Sequence, residues 1–207
     1  VLAFPEGEHS ALIGFTGPIE SLTGHMANAA EAAMAEVNAS GKAKNNYISV
    51  RGDDTCTDAA AATAATERAV TAEGVKGIIG GDCSGVTRAM LTNVAMPNGI
   101  VMVSPSATSP ALTADPDNGL FFRTAPSDAR EGEVMADILT EKGVKSIALT
   151  YSNSDYGKGL AESIASAFTV RSPMPGTSRS IAARTSAGSA LDIVSTTART
   201  RRAAGAR

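Results

Sequence analysis

Two cysteines, two small-residue turns and one late tyrosine are the residues whose types and spacing offer chemistry. Cys56 and Cys83 stand in Asp54-Thr55-Cys56-Thr57 and Gly81-Asp82-Cys83-Ser84, each directly after a stretch that reads as a strand. If those strands are neighbours in a parallel sheet, both sulfurs lie on loops at its carboxyl edge. The Cα separation of roughly 5.5 Å that a disulfide needs is then within reach. The alternative is a pair of free thiols. Without a nearby histidine, two cysteines are half a metal ligand set, so no metal is expected. Gly80-Gly81-Asp82-Cys83-Ser84-Gly85 is a strand-to-helix turn, and free N–H groups at such a turn attract anions. It matches neither Gly-x-x-x-x-Gly-Lys-Ser/Thr nor Gly-x-Gly-x-x-Gly. A doubly wound nucleotide-binding domain or enzyme using this turn is therefore the second reading.

The other small-residue loop is Ser104-Pro105-Ser106-Ala107-Thr108-Ser109-Pro110. Ser84, Ser106 and Thr108 are neutral hydrogen-bond partners, with no strong acid, base or metal ligand among them. Such a set suits gripping a small zwitterion better than breaking bonds, although serine and proline also make ordinary turns. Tyr156, in Ser154-Asp155-Tyr156-Gly157, sits in a turn of a second strand–helix series. There it would either close over a ligand or pack at a helix start. His9 precedes the first expected strand and His25 opens the first expected helix. Neither has a nucleophile motif, and no Gly-x-Ser-x-Gly is present, so no catalytic residue, enzymatic activity or cofactor is expected.

The elements that must carry these residues alternate. Ala11-Leu12-Ile13-Gly14-Phe15 reads as a buried strand closed by Thr16-Gly17-Pro18. Met26, Ala30, Ala33 and Val37 keep helical spacing, with Gly41 as a stop. Further strands are expected at 47–50, 75–80 and 100–103, with helices at 57–71, capped by Thr57, and 86–95. This β-α-β-α-β-α-β order implies a parallel sheet with helices on both faces, and ligands in such sheets bind at the carboxyl edge. After a loop, a short strand is expected at 120–123. A helix capped by Ser127 or Asp128, a strand at 146–151 and a helix at 157–168 then begin a second lobe.

Charge divides the chain differently. Its 207 residues carry a net charge of −3, but residues 1–170 hold 20 acidic and 11 basic side chains. The last 37 residues hold seven arginines, a single acid, Asp192, and no aromatic residue. They show neither helical nor strand period and are expected to be disordered or non-native. Arginines without interleaved aromatics or lysines make a poor nucleic-acid arm. No apolar run approaches the roughly 20 residues of a membrane span.

Six motifs in order resemble the periplasmic amino-acid-binding proteins of ABC transporters, of the leucine/isoleucine/valine-binding type. They are Gly14-Phe15-Thr16-Gly17-Pro18, Asp53-Asp54-Thr55-Cys56, Gly80-Gly81-Asp82-Cys83-Ser84, the loop from Ser104 to Pro110, Phe122-Arg123-Thr124 and Asp155-Tyr156-Gly157. The resemblance spans about residues 10–168. It implies an α/β type I periplasmic binding fold: parallel-sheet, three-layer sandwich lobes closing on one amino acid, here with the second lobe incomplete and the chain truncated. The expected organisation is a first lobe at 1–123, the start of a second at 124–170, and an atypical Arg/Ser/Ala-rich tail at 171–207. The resemblance further implies that Cys56 and Cys83 form a disulfide. It implies that Ser84 and Thr108 hold the ligand carboxylate, that the Ser106 backbone carbonyl meets the ammonium beside Ala107, and that Tyr156 touches the ligand from the second lobe. The implied protein is periplasmic or extracellular. It captures an amino acid, in the family a branched-chain one, for a membrane permease without itself spanning the membrane or binding nucleic acid.

Overall fold

A computed structural model of the chain describes residues 9–12, 15–42, 47–171, 177–182 and 191–198. Two compact units divide it. The first holds Val1–Thr108 and Ala114–Pro126, and the second holds Ser109–Thr113 and the chain from Ser127 onward. A short segment after Thr108 thus goes with the second unit.

Five parallel strands form the sheet of the first unit, in the order β2-β1-β3-β4-β5. They are β1 (His9–Leu12), β2 (Ser49–Gly52), β3 (Gly77–Gly80), β4 (Val101–Ser104) and β5 (Phe121–Arg123). Parallel strands need crossovers, supplied by α1 (Glu20–Ala39), α2 (Ala59–Thr71) and α3 (Ser84–Met90). The chain builds outward from β1 to β2, returns past β1 to β3, and continues to β5. The strand order reverses between β1 and β3, and that switch point opens a crevice at the carboxyl ends. Contrary to the expectation from the sequence, the strands before Cys56 and Cys83 are not neighbours, because β1 pairs with both and lies between them.

Local chemistry sets the element boundaries. Asp58, not Thr57, caps α2, its Oδ1 accepting from the N–H groups of Ala60 and Ala61 at 2.9 and 3.0 Å. Carboxylate in that position satisfies N–H groups that the first helical turn leaves unpaired. Strand β1 begins two residues earlier than expected, so His9 lies within it, paired with Ser49. His25 lies inside α1 rather than at its start. Helix α3 continues through a π turn at Leu91–Ala95 into α4 (Met96–Asn98). The π turn stands directly ahead of Pro97, whose missing N–H interrupts the regular ladder. Val86, Met90, Leu91 and Val94 from this helix are buried, as are Ile78 and Met102 of the sheet, and Ala62, Thr66 and Ala69 are the buried residues of α2.

The second unit contains α5 (Ala111–Ala114, shared at its end with the first), α6 (Asp128–Glu141), β6 (Ile147–Ser152) and α7 (Asp155–Arg171). Ser127 Oγ accepts from Ala129 N–H at the start of α6. Small residues let α6 and α7 approach closely: a Cβ on Gly132 would lie 2.6 Å from the Ser163 carbonyl carbon. Ala161 and Ala165 bury against Leu149 and Tyr151 of β6. The sequence pattern places no element after Val170, but strands occur at β7 (Thr177–Ala182) and β8 (Leu191–Ala198). They join β6 in an antiparallel sheet of order β6-β8-β7. The missed signal is composition rather than period: Ile193, Val194, Thr196 and Thr197 are β-branched. The rest of the tail lies outside the described residues.

Candidate functional site

The carboxyl edge of the first sheet gathers the loops that carry the sequence candidates. Cys56 and Cys83 are joined in a disulfide with their Cα atoms 5.2 Å apart. Strands two places apart in a sheet are separated by nearly 10 Å, so the loops after β2 and β3 must curl toward each other over the end of β1. The loop after β2 does this through Thr55 and Cys56, both in the left-handed region with φ of 57° and 59°. Gly17, after β1, lies beneath that turn with φ 112°, where a Cβ would be 3.0 Å from the Thr55 carbonyl oxygen. Only glycine combines that φ with that approach.

Two aspartates tie these loops further. Asp53 Oδ1 accepts from the N–H groups of Phe15 and Thr55, both at 2.9 Å, and its Oδ2 accepts from Thr16 Oγ1 at 3.0 Å. Asp54 is fully buried; its Oδ1 accepts from Cys56 N–H at 2.9 Å and its Oδ2 from Asp82 N–H at 3.3 Å. Asp82, 2% exposed, accepts from Cys83 N–H through Oδ1 at 2.8 Å, and the two carboxyl groups hydrogen-bond to each other. Burial, and secondarily the charge of Asp82, push the Asp54 carboxyl up to about 7. Gly81 leaves room for this pair, since a Cβ there would lie 3.0 Å from Asp54 Oδ2 and 2.9 Å from Thr87 Oγ1.

Cys56, Cys83 and Asp82 also bring potential ligand atoms within 4.8 Å of one another. Both sulfurs are spent in the disulfide, so they offer a metal no thiolate. The buried acidic pair beneath the Gly80–Gly85 turn likewise works against a phosphate there, which weakens the nucleotide reading.

Ser84 is the first residue of α3 and is 3% exposed. Ser106, Ala107 and Thr108 follow β4, which pairs with β3. Ser104 Oγ donates to Gly81 O at 2.6 Å and accepts from Ala107 N–H at 2.9 Å. Ser106 Oγ donates to Asp82 O at 2.9 Å. The loops bearing Ser84 and residues 106–108 are therefore laced together on one edge of the first unit. From the other side, Thr124 N–H donates to Ser104 O at 3.0 Å, Thr124 Oγ1 to Pro105 O at 3.3 Å and Arg123 Nη1 to Ala107 O at 3.2 Å. Among the described residues, the Ser106 carbonyl takes no hydrogen bond, whereas the Pro105 and Ala107 carbonyls on either side do.

Tyr156 belongs to the second unit, in the first turn of α7, and is 46% exposed. Partial burial, then the charges of Asp128 and Glu131, raise its phenol above the ordinary value. The structure also brings forward residues of the same motifs to which the sequence assigns no part: Asp54, Asp82, Ser104, Arg123 and Thr124. Asp54 and Asp82 carried a usable signal, a carboxylate two positions or one position before each half-cystine.

Residues 25–194 match a family described as the receptor family ligand binding region. The chain is 34% identical over 166 residues to the Leu/Ile/Val-binding protein of Citrobacter freundii, covering 79% of this chain and 44% of that protein. It is 33% identical, over the same shares, to the Leu/Ile/Val-binding protein of Escherichia coli K12. Among solved structures, it resembles an ABC transporter substrate-binding protein of Desulfitobacterium hafniense in complex with Leu. That match has TM-score 0.66, 26% identity, and covers 81% of this chain and 48% of the other. It also resembles a branched-chain amino acid transporter substrate-binding protein of Streptococcus pneumoniae in complex with isoleucine. The TM-score there is 0.67 at 25% identity, over 79% of this chain and 47% of the other. The chain thus spans less than half the length of the relatives it matches.

Proposed function

We propose, because this chain belongs to the receptor family of ligand binding regions, that it captures an amino acid outside the cytoplasm and presents it to the permease of an ABC transporter. The observation that carries this reading is the laced edge formed by the loops after β3 and β4, together with similar structures that hold leucine and isoleucine. An amino acid presents a carboxylate and an ammonium group a few ångströms apart. Ser84 and Thr108 are the proposed partners of the carboxylate. The Ser106 carbonyl, with both neighbouring carbonyls already engaged, is the proposed acceptor for the ammonium. Ala107, 1% exposed, holds the backbone between them.

The same geometry favours holding over breaking. Ser104 and Ser106 donate their hydroxyl protons to fixed backbone carbonyls, and a hydroxyl placed so is not activated as a nucleophile. We therefore read the protein as a receptor rather than a catalyst. Tyr156 enters the proposal through the resemblance, as a ligand contact contributed by the second unit.

A thermal-shift screen of the protein against L-leucine, L-isoleucine, L-valine and ATP tests the reading. Ligand at a hundred times its Kd stabilises by about 2.7 kcal/mol, which for a chain of this size raises the melting midpoint by roughly 5–10 °C. The shift is expected with a branched-chain amino acid, is lost when Ser84 and Thr108 are both changed to alanine, and does not occur with ATP. A shift with ATP alone would overturn the reading in favour of the nucleotide alternative.

A further inference from the structure

We propose that Arg123 and Thr124 are positioning residues for the ligand-binding loop, acting through the carbonyls of Ala107 and Pro105; this rests on the amino-acid reading of that loop. The register of the sheet pairs Ser104 with Arg123, so the end of β5 lies beside the residue where the loop leaves β4. From that end Thr124 N–H continues the ladder to Ser104 O, Thr124 Oγ1 reaches Pro105 O, and the Arg123 guanidinium reaches Ala107 O. Across the loop, the hydroxyls of Ser104 and Ser106 hold the carbonyls of Gly81 and Asp82.

The consequence is a selection among carbonyls. Those of Ser104, Pro105 and Ala107 are turned toward the donors on β5, while the intervening Ser106 carbonyl is left without a partner among the described residues. Successive peptide planes cannot rotate independently once three of four are fixed, so the bonds from β5 set the direction of the Ser106 carbonyl without touching a ligand. Arginine suits this task because its donors lie in a rigid planar fork, whereas a lysine ammonium on a flexible stem does not fix a direction. Arg123 is also a half-buried cation at a loop proposed to receive a carboxylate.

Isothermal titration with L-leucine and amide hydrogen exchange on the full chain test this, with wild type, Arg123→Ala, Arg123→Lys, Thr124→Val and Thr124→Ser compared. Arg123→Ala is expected to weaken leucine binding by about tenfold or more, to speed exchange at Ala107 and Thr108, and to leave exchange at Ile78 and Met102 in the sheet unchanged. Arg123→Lys should recover only part of the affinity. Thr124→Ser should bind as wild type does, and Thr124→Val should bind more weakly. Unchanged exchange at Ala107 and Thr108 in Arg123→Ala would overturn the proposal, as would equal affinity of the alanine and wild-type proteins. If wild type fails to bind leucine while Arg123→Ala still speeds loop exchange, the positioning role stands and the amino-acid reading falls.

Discussion

Replacing Asp54 with asparagine should make the protein more stable in mild alkali and erase a pH dependence that wild type shows. Asp54 is fully buried against Asp82, and its carboxyl is pushed from 3.8 up to about 7, first by burial and then by the Asp82 charge. In the unfolded chain the group ionises near its ordinary value. Between pH 4 and 7 the folded protein therefore keeps a proton that the unfolded chain has lost. Stability from this group is fully present below about pH 4 and drains away as pH rises toward 7. A shift of this size corresponds to a loss on the order of 4 kcal/mol across that window. Asparagine is the uncharged mimic of the protonated acid. Its carbonyl oxygen can keep the bond from Cys56 N–H, and its amide can donate to Asp82. It forfeits the long 3.3 Å contact from Asp82 N–H, at a cost of about 1 kcal/mol. Urea unfolding at pH 4.5, 6, 7 and 8 reads the difference directly, provided the denaturant slope stays constant. Near pH 4.5 the variant should equal wild type or fall slightly below it. At pH 8 it should exceed wild type by about 2–4 kcal/mol. Taking the difference between the two proteins cancels the titrating groups that do not interact with Asp54. A difference that stays flat from pH 4.5 to 8 would refute the reasoning that Asp54 keeps its proton in the fold.

Two further outcomes follow from covalent and steric geometry. The paired substitution Cys56→Ala with Cys83→Ala releases a crosslink spanning 27 residues. It should lower unfolding free energy by about 3.5 kcal/mol on the loop-entropy estimate, measured by urea unfolding against wild type with and without reductant. Reductant should destabilise only the protein that has the disulfide. Gly132→Ala places a Cβ 2.6 Å from the Ser163 carbonyl carbon and 2.7 Å from its Cβ. The helices must then separate, costing about 1–3 kcal/mol. An unfolding midpoint unchanged from wild type would show that α6 and α7 adjust freely.

Periodicity and punctuation made the first sheet legible. Buried runs such as Ile78-Ile79 ended by Gly80, and helices stopped at Gly41, Gly74 and Gly143, announce alternating elements, and alternation forces parallel pairing. Strand order was not legible, and the disulfide shows why. Two half-cystines after two strands suggest neighbouring strands, but a sequence cannot say that β1 will insert between them, since that depends on which edge the crossover returns to. Boundaries slipped where side-chain hydrogen bonding outweighed pattern: Asp58 rather than Thr57 caps α2 because its carboxylate reaches two N–H groups. Strand β8 was missed because its β-branched residues carry no alternation. The candidate loops were readable as small-residue turns. Their bracing was not, because Arg123 and Thr124 act from β5 on carbonyls that leave no mark in the sequence.

The side-chain links along the carboxyl edge follow the sheet from one side to the other. Asp53 joins the loop after β2 to that after β1. The disulfide and the Asp54–Asp82 pair join β2 to β3 across the end of β1. Ser104 and Ser106 join β4 to β3, and Arg123 and Thr124 join β5 to β4. Loops without secondary structure ordinarily lose conformational freedom when they order around a ligand, at about 0.5–1.5 kcal/mol for each immobilised side chain. Here that ordering is completed on folding, when the strand ends are already held by the sheet. The cost then falls on fold stability, and not on affinity. Weakening a link should therefore appear in two measurements at once, as a lower unfolding free energy and as weaker ligand binding. The proportion between them tells the links apart: the cysteines, whose disulfide runs between the loops after β2 and β3, should weigh mainly on stability, and Arg123 mainly on affinity.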